Sequence, residues 1–434
     1  MIESLLPLVW LDVDVLDPYG DPAAGAEVFL DGDSVGFTDL DGRLRFAATD
    51  PTGKHVVARQ QMDHHAGYKA DHDGWVYRVY QMSRLVNLDG SIADAVVPPP
   101  DLGPSLREPI PLQLQIEQPL IGLHLVVSLS WDASADELED YRFRMMVASQ
   151  YLYNATDGQF FFEQVEIADD GQGWGSGDLL FDLDNTRRPQ TNWTGGFLAP
   201  ILGSVPGKIT MAKANDPAVS ELVGDFYGLD DPRTVVHELG HLALGLGDEY
   251  VGFNWIAGNH CSAARLDPTA EAGHQNAGPA ASCLMDSQFL TSKLCSNFAP
   301  NDPRSHRGGL LQPYPCWHTI DATYSDDRLE PRWQLTTPDE RGDVPGTLPW
   351  QVFEPRITVI NRQRGDLCEP FVVKDPPSAR DDVWVMPAEG APFTLGDASA
   401  DGTIIVSGAH VGDQIVTAHG AGVVLFPGSC TVTR

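Results

Sequence analysis

The stretch HELGHLALGLGDEY, residues 237–250, decides how the rest of the chain is read. Asp231 and Pro232 stand just before it, an N-cap residue followed by proline at the first helical position. After Arg233 the run TVVHELGHLAL keeps apolar residues at helical spacing, and Gly245 is a natural stop. On such a helix His237 and His241 leave one face a turn apart, a separation at which two neutral imidazoles can grip one Zn²⁺. Glu238 lies one residue round from the first histidine, close enough to reach a water on the ion without ligating it. Zinc lowers the pKa of such a water to about 7, and a carboxylate can then take its proton as it attacks a carbonyl. A third protein ligand is needed if one coordination position is to stay open. A helix that ends at Gly245 and Gly247 can turn back and present Asp248 to the same metal.

The bland alternative is an amphipathic helix carrying two surface histidines. A helix of the right length and a carboxylate just past its glycine stop weigh against it. Asp248 has rivals for the third position in His260, His274 and His318. Glu271 would be needed for a thermolysin-like site, but no second-helix motif surrounds it. Glu249 reads as a partner of the ligands or a solvated carboxylate, Tyr250 as packing under the site, and Tyr314 as an oxyanion donor by position alone.

With 434 residues the chain exceeds one ordinary core, and two to four domains are expected. The 42 glycines and 33 prolines favour short strands and many turns over long helices. A formal charge of −33 without a basic cluster excludes nucleic acid and anionic membranes as partners, and no apolar run has the length of a membrane span. Six cysteines stand at 261, 283, 295, 316, 368 and 430, none in a CxxC pair. That pattern suits disulfides in an oxidising compartment rather than a zinc knuckle, and the expected location is secreted or extracytoplasmic. The opening MIESLLPLVW, with Glu3 before a short apolar run and no basic flank, is a poor signal peptide.

Residues 8 to 60 alternate in the strand manner between Asp, Gly and Pro turns, which predicts a β-sandwich over 1–95. TDLDGRLRFAATDPTGKHVVA (38–58) is similar to GDASADGTIIVSGAHVGDQIVTA (396–418), each with an Asp-Gly turn, a strand, a glycine and a second strand. Both resemble the carboxypeptidase-regulatory or transthyretin-like modules of exported proteins, so a second sandwich is expected over 350–434, with Cys368 and Cys430 stapling it. The proline-rich 96–118 reads as a semi-rigid linker. From 119 to 335 the pattern is α/β. LHLVVSLSW (123–131) is a strand, Ser134 and Glu137 cap a helix to about Tyr153, and QFFFEQVEIAD (159–169) is a second strand. GKITMAKA (207–214) is a further strand, placed where an extended substrate pairs with a sheet edge.

WDASADE (131–137) carries a DxSxS-like metal pattern, but the Ser134–Glu137 capping box already explains it. DHHAGYKADHDG (63–74) has ligand-type residues without a known spacing and reads as a solvated loop. Ca²⁺ is a second candidate ion, with carboxylates in ADDG (168–171) and FDLDN (181–185); neither is an EF-hand, and both read as loops.

HExxH with a downstream glycine, a third ligand and a later methionine turn resembles the metzincin layout. The third ligand there lies ten residues after the first histidine, whereas Asp248 lies eleven after His237. The pattern HExxHxxxGxxDEY is similar to that of the metalloprotease domain of the calcium-activated chloride channel regulator family and, less closely, to bacterial IgA-cleaving metallopeptidases. His237, Glu238, His241, Gly245, Asp248, Glu249 and Tyr250 all fit the former. ASCLMD (281–286) resembles the methionine turn with Met285 below the metal, and LCSNFAPND (294–302) and PCWHTI (315–320) resemble the segment that closes that domain. No von Willebrand A domain follows, so the family's channel biology is not implied.

The expectation is therefore a multidomain chain, an α+β metzincin-like zincin domain flanked by two β-sandwich modules. The resemblance implies a zinc metalloendopeptidase with His237, His241 and Asp248 as metal ligands, Glu238 as general base and a protein or peptide as substrate. The rival is a surface adhesion or binding protein that uses a zincin scaffold without catalysis.

Overall fold

The computed structural model describes residues 8–49, 54–62, 67–69, 74–83, 86–87, 109–174, 177–183, 189–191, 208–212, 232–247, 283–285, 294, 316–324, 335, 353–360, 368, 371–374, 382–386, 392–397, 403–406, 408–417, 422–425 and 432–433. Over these residues the chain is a sheet-rich mixed α+β fold. No described helix is long and apolar enough to cross a membrane.

The N-terminal strands are β1 (Leu8–Leu16), β2 (Glu27–Leu30), β3 (Asp33–Phe37), β4 (Arg43–Thr49), β5 (His55–Gln61), β6 (Gly67–Lys69), β7 (Gly74–Ser83) and β8 (Val86–Asn87). Alternation in β1 buries Leu11, Val13 and Val15 and turns Trp10 and Asp14 outward. β1 runs antiparallel to β4, while β2 pairs with β3 and β5. The turn before β4 is held by Asp39, whose carboxylate accepts the N–H groups of Asp41 and Arg43 at 2.9 Å. Gly42 then takes φ +72°, and a side chain there would meet the Val15 carbonyl oxygen at 2.6 Å. β6 and β7 form a hairpin, so Gly67–Lys69, expected in a solvated loop, are a strand.

One strand joins this unit to the centre. β9 (Ile110–Leu129) has 20 residues. Its first part lies parallel to β1, its middle antiparallel to β7, and its last part parallel to both β10 (Phe160–Ala168) and β11 (Leu179–Asp182). The expected linker 96–118 is corrected in its final part. Leu112, Leu114 and Ile116 are buried at every second position, so the chain is already strand from Ile110. The remainder of that linker, 96–108, lies outside the described residues.

Between β9 and β10 runs α1 (Ala135–Ala155), which begins as expected. Ser134 Oγ accepts the Glu137 N–H at 3.2 Å, and Glu137 accepts the Ser134 N–H at 2.9 Å. Leu138, Tyr141, Met145, Ala148 and Leu152 form its buried stripe. Two further strands, β12 (Gln190–Thr191) and β13 (Ile209–Ala212), give the local order β10-β9-β11-β13-β12. The strand 207–214 was expected at the sheet edge. β13 is instead flanked by parallel β11 and antiparallel β12, and β12 takes the edge.

The other helices among the described residues are α2 (Pro232–Leu242) and α3 (Cys316–Tyr324). The C-terminal strands are β14 (Arg356–Ile360), β15 (Phe371–Lys374), β16 (Asp382–Met386), β17 (Phe393–Asp397), β18 (Thr403–Val406), β19 (Gln414–Thr417), β20 (Gly422–Leu425) and β21 (Val432–Thr433). A second boundary needs correction. β14, expected inside the 350–434 module, pairs with β10 as part of the central sheet. β15 and β18 form one small sheet, and β17-β16-β19-β20-β21 another. In both similar stretches the two consecutive strands, β4/β5 and β18/β19, pair with other strands rather than with each other.

Packing ties the parts together. Val383, Val385, Leu395, Val406 and Ile415 share one core with Trp131, Leu138 and the α2 residues Val235 and Leu239. Gly408, at φ +71°, packs so closely on Trp131 that an added Cβ would lie 2.4 Å from the tryptophan Cβ. His410 Nε2 stands 2.6 Å from Asp132 Oδ2. At the other junction, buried Glu163 accepts hydrogen bonds from Tyr80 at 2.7 Å, Arg356 at 3.2 Å and Arg78 at 3.4 Å. Burial, with the Glu163 charge beside it, pushes the Tyr80 phenol well above its ordinary range.

Candidate metal centre

α2 starts at Pro232, where the missing N–H costs no helical bond; Asp231, the expected N-cap, lies outside the described residues. Its buried residues include Val235, Val236, Leu239 and Leu242, together with His237 and Glu238. The helix unwinds by widening: the Leu244 N–H reaches the Leu239 carbonyl at 3.3 Å and the Leu246 N–H reaches the Gly240 carbonyl at 2.9 Å. Gly245, at φ +69°, supplies the left-handed residue that reverses the chain.

That reversal fixes one histidine. His241 Nδ1 lies 2.6 Å from the Leu246 carbonyl oxygen. The second is fixed from another segment, with His237 Nδ1 at 3.2 Å from the Leu284 carbonyl oxygen. A carbonyl can only accept, so in each ring Nδ1 carries a proton, and in the neutral imidazole this leaves the lone pair on Nε2. This is the arrangement in which outer hydrogen bonds orient a metal-binding imidazole. The ring centroids are 5.0 Å apart with planes at 89°.

Below the histidines, Met285 fills the space beside Gly240. A Cβ on Gly240 would stand 2.6 Å from Met285 Sδ, and both Cys283 and Met285 are fully buried. Only glycine lets the methionine come this close, which gives GH in HELGH a packing reason. Met285, expected below a metal, is found packed against Gly240 of α2. α3 closes the same side: the Tyr324 hydroxyl donates to the Ala243 carbonyl at 2.5 Å, one of the acceptors left open at the end of α2. Full burial pushes this phenol well above its ordinary pKa, with Tyr77 adding to the effect, so Tyr324 remains a donor.

Glu238 is 6% exposed. Thr191 Oγ1 donates to its Oε2 at 2.7 Å, with the Glu238 backbone oxygen 3.1 Å from the same hydroxyl. Thr191 belongs to β12, the outermost strand here among the described residues, and holds the buried carboxylate beside it. Thr191 was not singled out from the sequence. It lies in a two-residue strand, too short for periodicity to reveal, and its contact spans 47 positions.

The structure brings together His237, Glu238 and His241. Asp248, Glu249, Tyr250, His260, Glu271, His274 and Tyr314 lie outside the described residues. His318 sits on the exposed side of α3, away from the buried Cys316, Trp317 and Ile320. Among the described residues no group of three or more His, Cys, Asp or Glu side chains is arranged to hold a metal. Of the two acidic stretches expected as loops, Ala168 closes β10 and Phe181 and Asp182 belong to β11, with Asp182 accepting from the Ser130 hydroxyl at 3.4 Å. Comparison with known proteins returns nothing: no family model, no curated protein and no solved structure matches the chain.

Proposed function

We propose that this protein is a zinc-dependent endopeptidase with a metzincin-like central domain flanked by two sandwich-type modules, acting on protein or peptide in an extracytoplasmic setting. One observation carries the reading: both histidines of the HELGH helix donate from Nδ1 to fixed backbone carbonyls, with buried Glu238 between them in sequence. A surface helix with two incidental histidines has no need of either bond. The order β9, α1, β10, β11 before α2, and Met285 seated against Gly240, support the metzincin-like reading. The crossing of strand partners in the two similar stretches supports the sandwich modules.

His237 and His241 would hold Zn²⁺ through Nε2. The reversal at Gly245 returns the chain toward His241 just before Asp248, which would supply the third ligand. When bound, the ion polarises the scissile carbonyl and acidifies water. Glu238 accepts the proton of the attacking water and delivers it to the leaving amine. Thr191 orients that carboxylate before substrate arrives, and an extended substrate would lie along the β12 rim. Cys368, buried and disulfide-bonded, supports an oxidising location.

The test is substrate-independent first: zinc per chain, by elemental mass spectrometry, in the wild type and in Asp248→Ala. About one zinc per chain, largely lost in the variant, is the expected result. Zinc retained in both moves the third ligand to His260, His274 or His318, and no zinc in either overturns the metal centre. Glu238→Ala, assayed on casein and on a quenched fluorescent peptide library, should lose about 10²-fold or more of any hydrolysis. Unchanged hydrolysis would favour the adhesion-protein alternative.

A further inference from the structure

We infer that Cys283 and Cys316 form a reversible disulfide that clamps the floor of the histidine site to the closing helix. Their sulfurs stand 3.6 Å apart and both residues are fully buried. The two sulfurs are not covalently joined in this structure, and a disulfide of about 2.05 Å requires them to approach from the 3.6 Å contact. Of the three pairings open to Cys261, Cys283, Cys295 and Cys316, only one contains this bond, and it leaves Cys261 for Cys295.

The position gives the bond its consequence. Cys283 immediately precedes Leu284, whose carbonyl engages His237, and Met285, which packs on Gly240. Cys316 opens α3, whose last residue Tyr324 donates to the end of α2. The bond would therefore make a closed frame of floor segment, α2 and α3, and spanning 284–315 it would constrain the unfolded chain as well. In forming it, each thiol gives up one proton and one electron; the pair of electrons passes to a disulfide oxidant such as oxidised glutathione, whose own S–S bond opens to two thiols. The inference stands whether or not the histidines bind zinc.

The experiment uses the full chain, equilibrated with oxidised glutathione, denatured with an alkylating agent present and digested without reductant. Mass spectrometry should find the Cys283 and Cys316 peptides joined and two hydrogens lighter than their sum. Both cysteines alkylated, or either one joined to Cys261 or Cys295, overturns the pairing. Amide hydrogen exchange at 284–285 and over α3 then tests the clamp: it should rise on reduction in the wild type. It should not respond to reduction in a Cys283→Ala/Cys316→Ala variant. Identical exchange in oxidised and reduced wild type overturns the clamp, and this comparison stands even if the double variant does not fold.

Discussion

Replacing Gly240 by alanine sets two effects of opposite sign against each other. Mid-helix, the change should gain about 1 kcal/mol from backbone entropy and propensity. The added methyl, however, would lie 2.6 Å from Met285 Sδ and 3.2 Å from its Cε, within a fully buried contact. Overpacking of that kind costs about 1–3 kcal/mol. Gly240→Ala should therefore destabilise α2 by about 0–2 kcal/mol on balance. Met285→Ala alone should cost about 2–5 kcal/mol through the cavity it leaves. In that background the new methyl enters vacated space, and Gly240→Ala should become stabilising by up to about 1 kcal/mol. The two substitutions are thus coupled by about 1–3 kcal/mol. Native-state hydrogen exchange over 232–242 reads the opening free energy of α2 in all four proteins. Equal destabilisation by Gly240→Ala with and without Met285 would refute the reasoning, because the methionine would then not be what the methyl meets.

Three further outcomes are expected. The Asp413 and Asp132 carboxylates raise the pKa of His410 against the cost of burial; at 2.6 Å Asp132 makes the closer contact, Asp413 approaching the ring only to 3.7 Å. A raised folded pKa means stability present in full below about pH 6.5 and lost as pH rises through the folded value. Urea midpoints of the wild type should accordingly fall over that range, and His410→Gln should flatten this part of the slope; an unchanged slope would discard the assignment. Gly408→Ala adds left-handed strain of about 1–2 kcal/mol to overpacking against Trp131 of about 1–3 kcal/mol, so it should raise hydrogen exchange over 403–406 and 408–417, and unchanged exchange there would discard the reasoning. Thr191→Val removes the hydroxyl bonded to Glu238 while keeping its shape; α2 should lose about 1–3 kcal/mol, with zinc content unaltered, and an unaltered opening energy would mean that the bond contributes nothing.

Local signals were legible wherever the governing interaction is local. The capping box at Ser134 and Glu137, the proline start of α2 and the glycine stop at Gly245 each involve partners within a few residues. The continuity of β9 was hidden because Pro111 and Pro119 interrupt its pattern, and prolines beside a Pro-rich run suggest a linker. Strand order was hidden as well: β12 takes the outer side of β13 through a two-residue pairing. At the candidate site the histidines and Glu238 announced themselves by spacing. Their supports did not, because Thr191, Leu284 and Tyr324 reach α2 from distant positions, Leu284 through a backbone oxygen that any residue could supply.

The length of β9 has a consequence for how the molecule behaves as an object. At about 3.3 Å per residue its twenty residues have a contour length on the order of 66 Å, with a bulge at Glu117, and the strand is hydrogen-bonded to one unit at its start and to the other at its finish. The N-terminal unit is thus joined to the central sheet through shared strand pairing rather than through a linker. It also cannot be trimmed away at residue 118. A cut there would split β9 within its pairing to β7, leaving unpaired strand edges on both pieces.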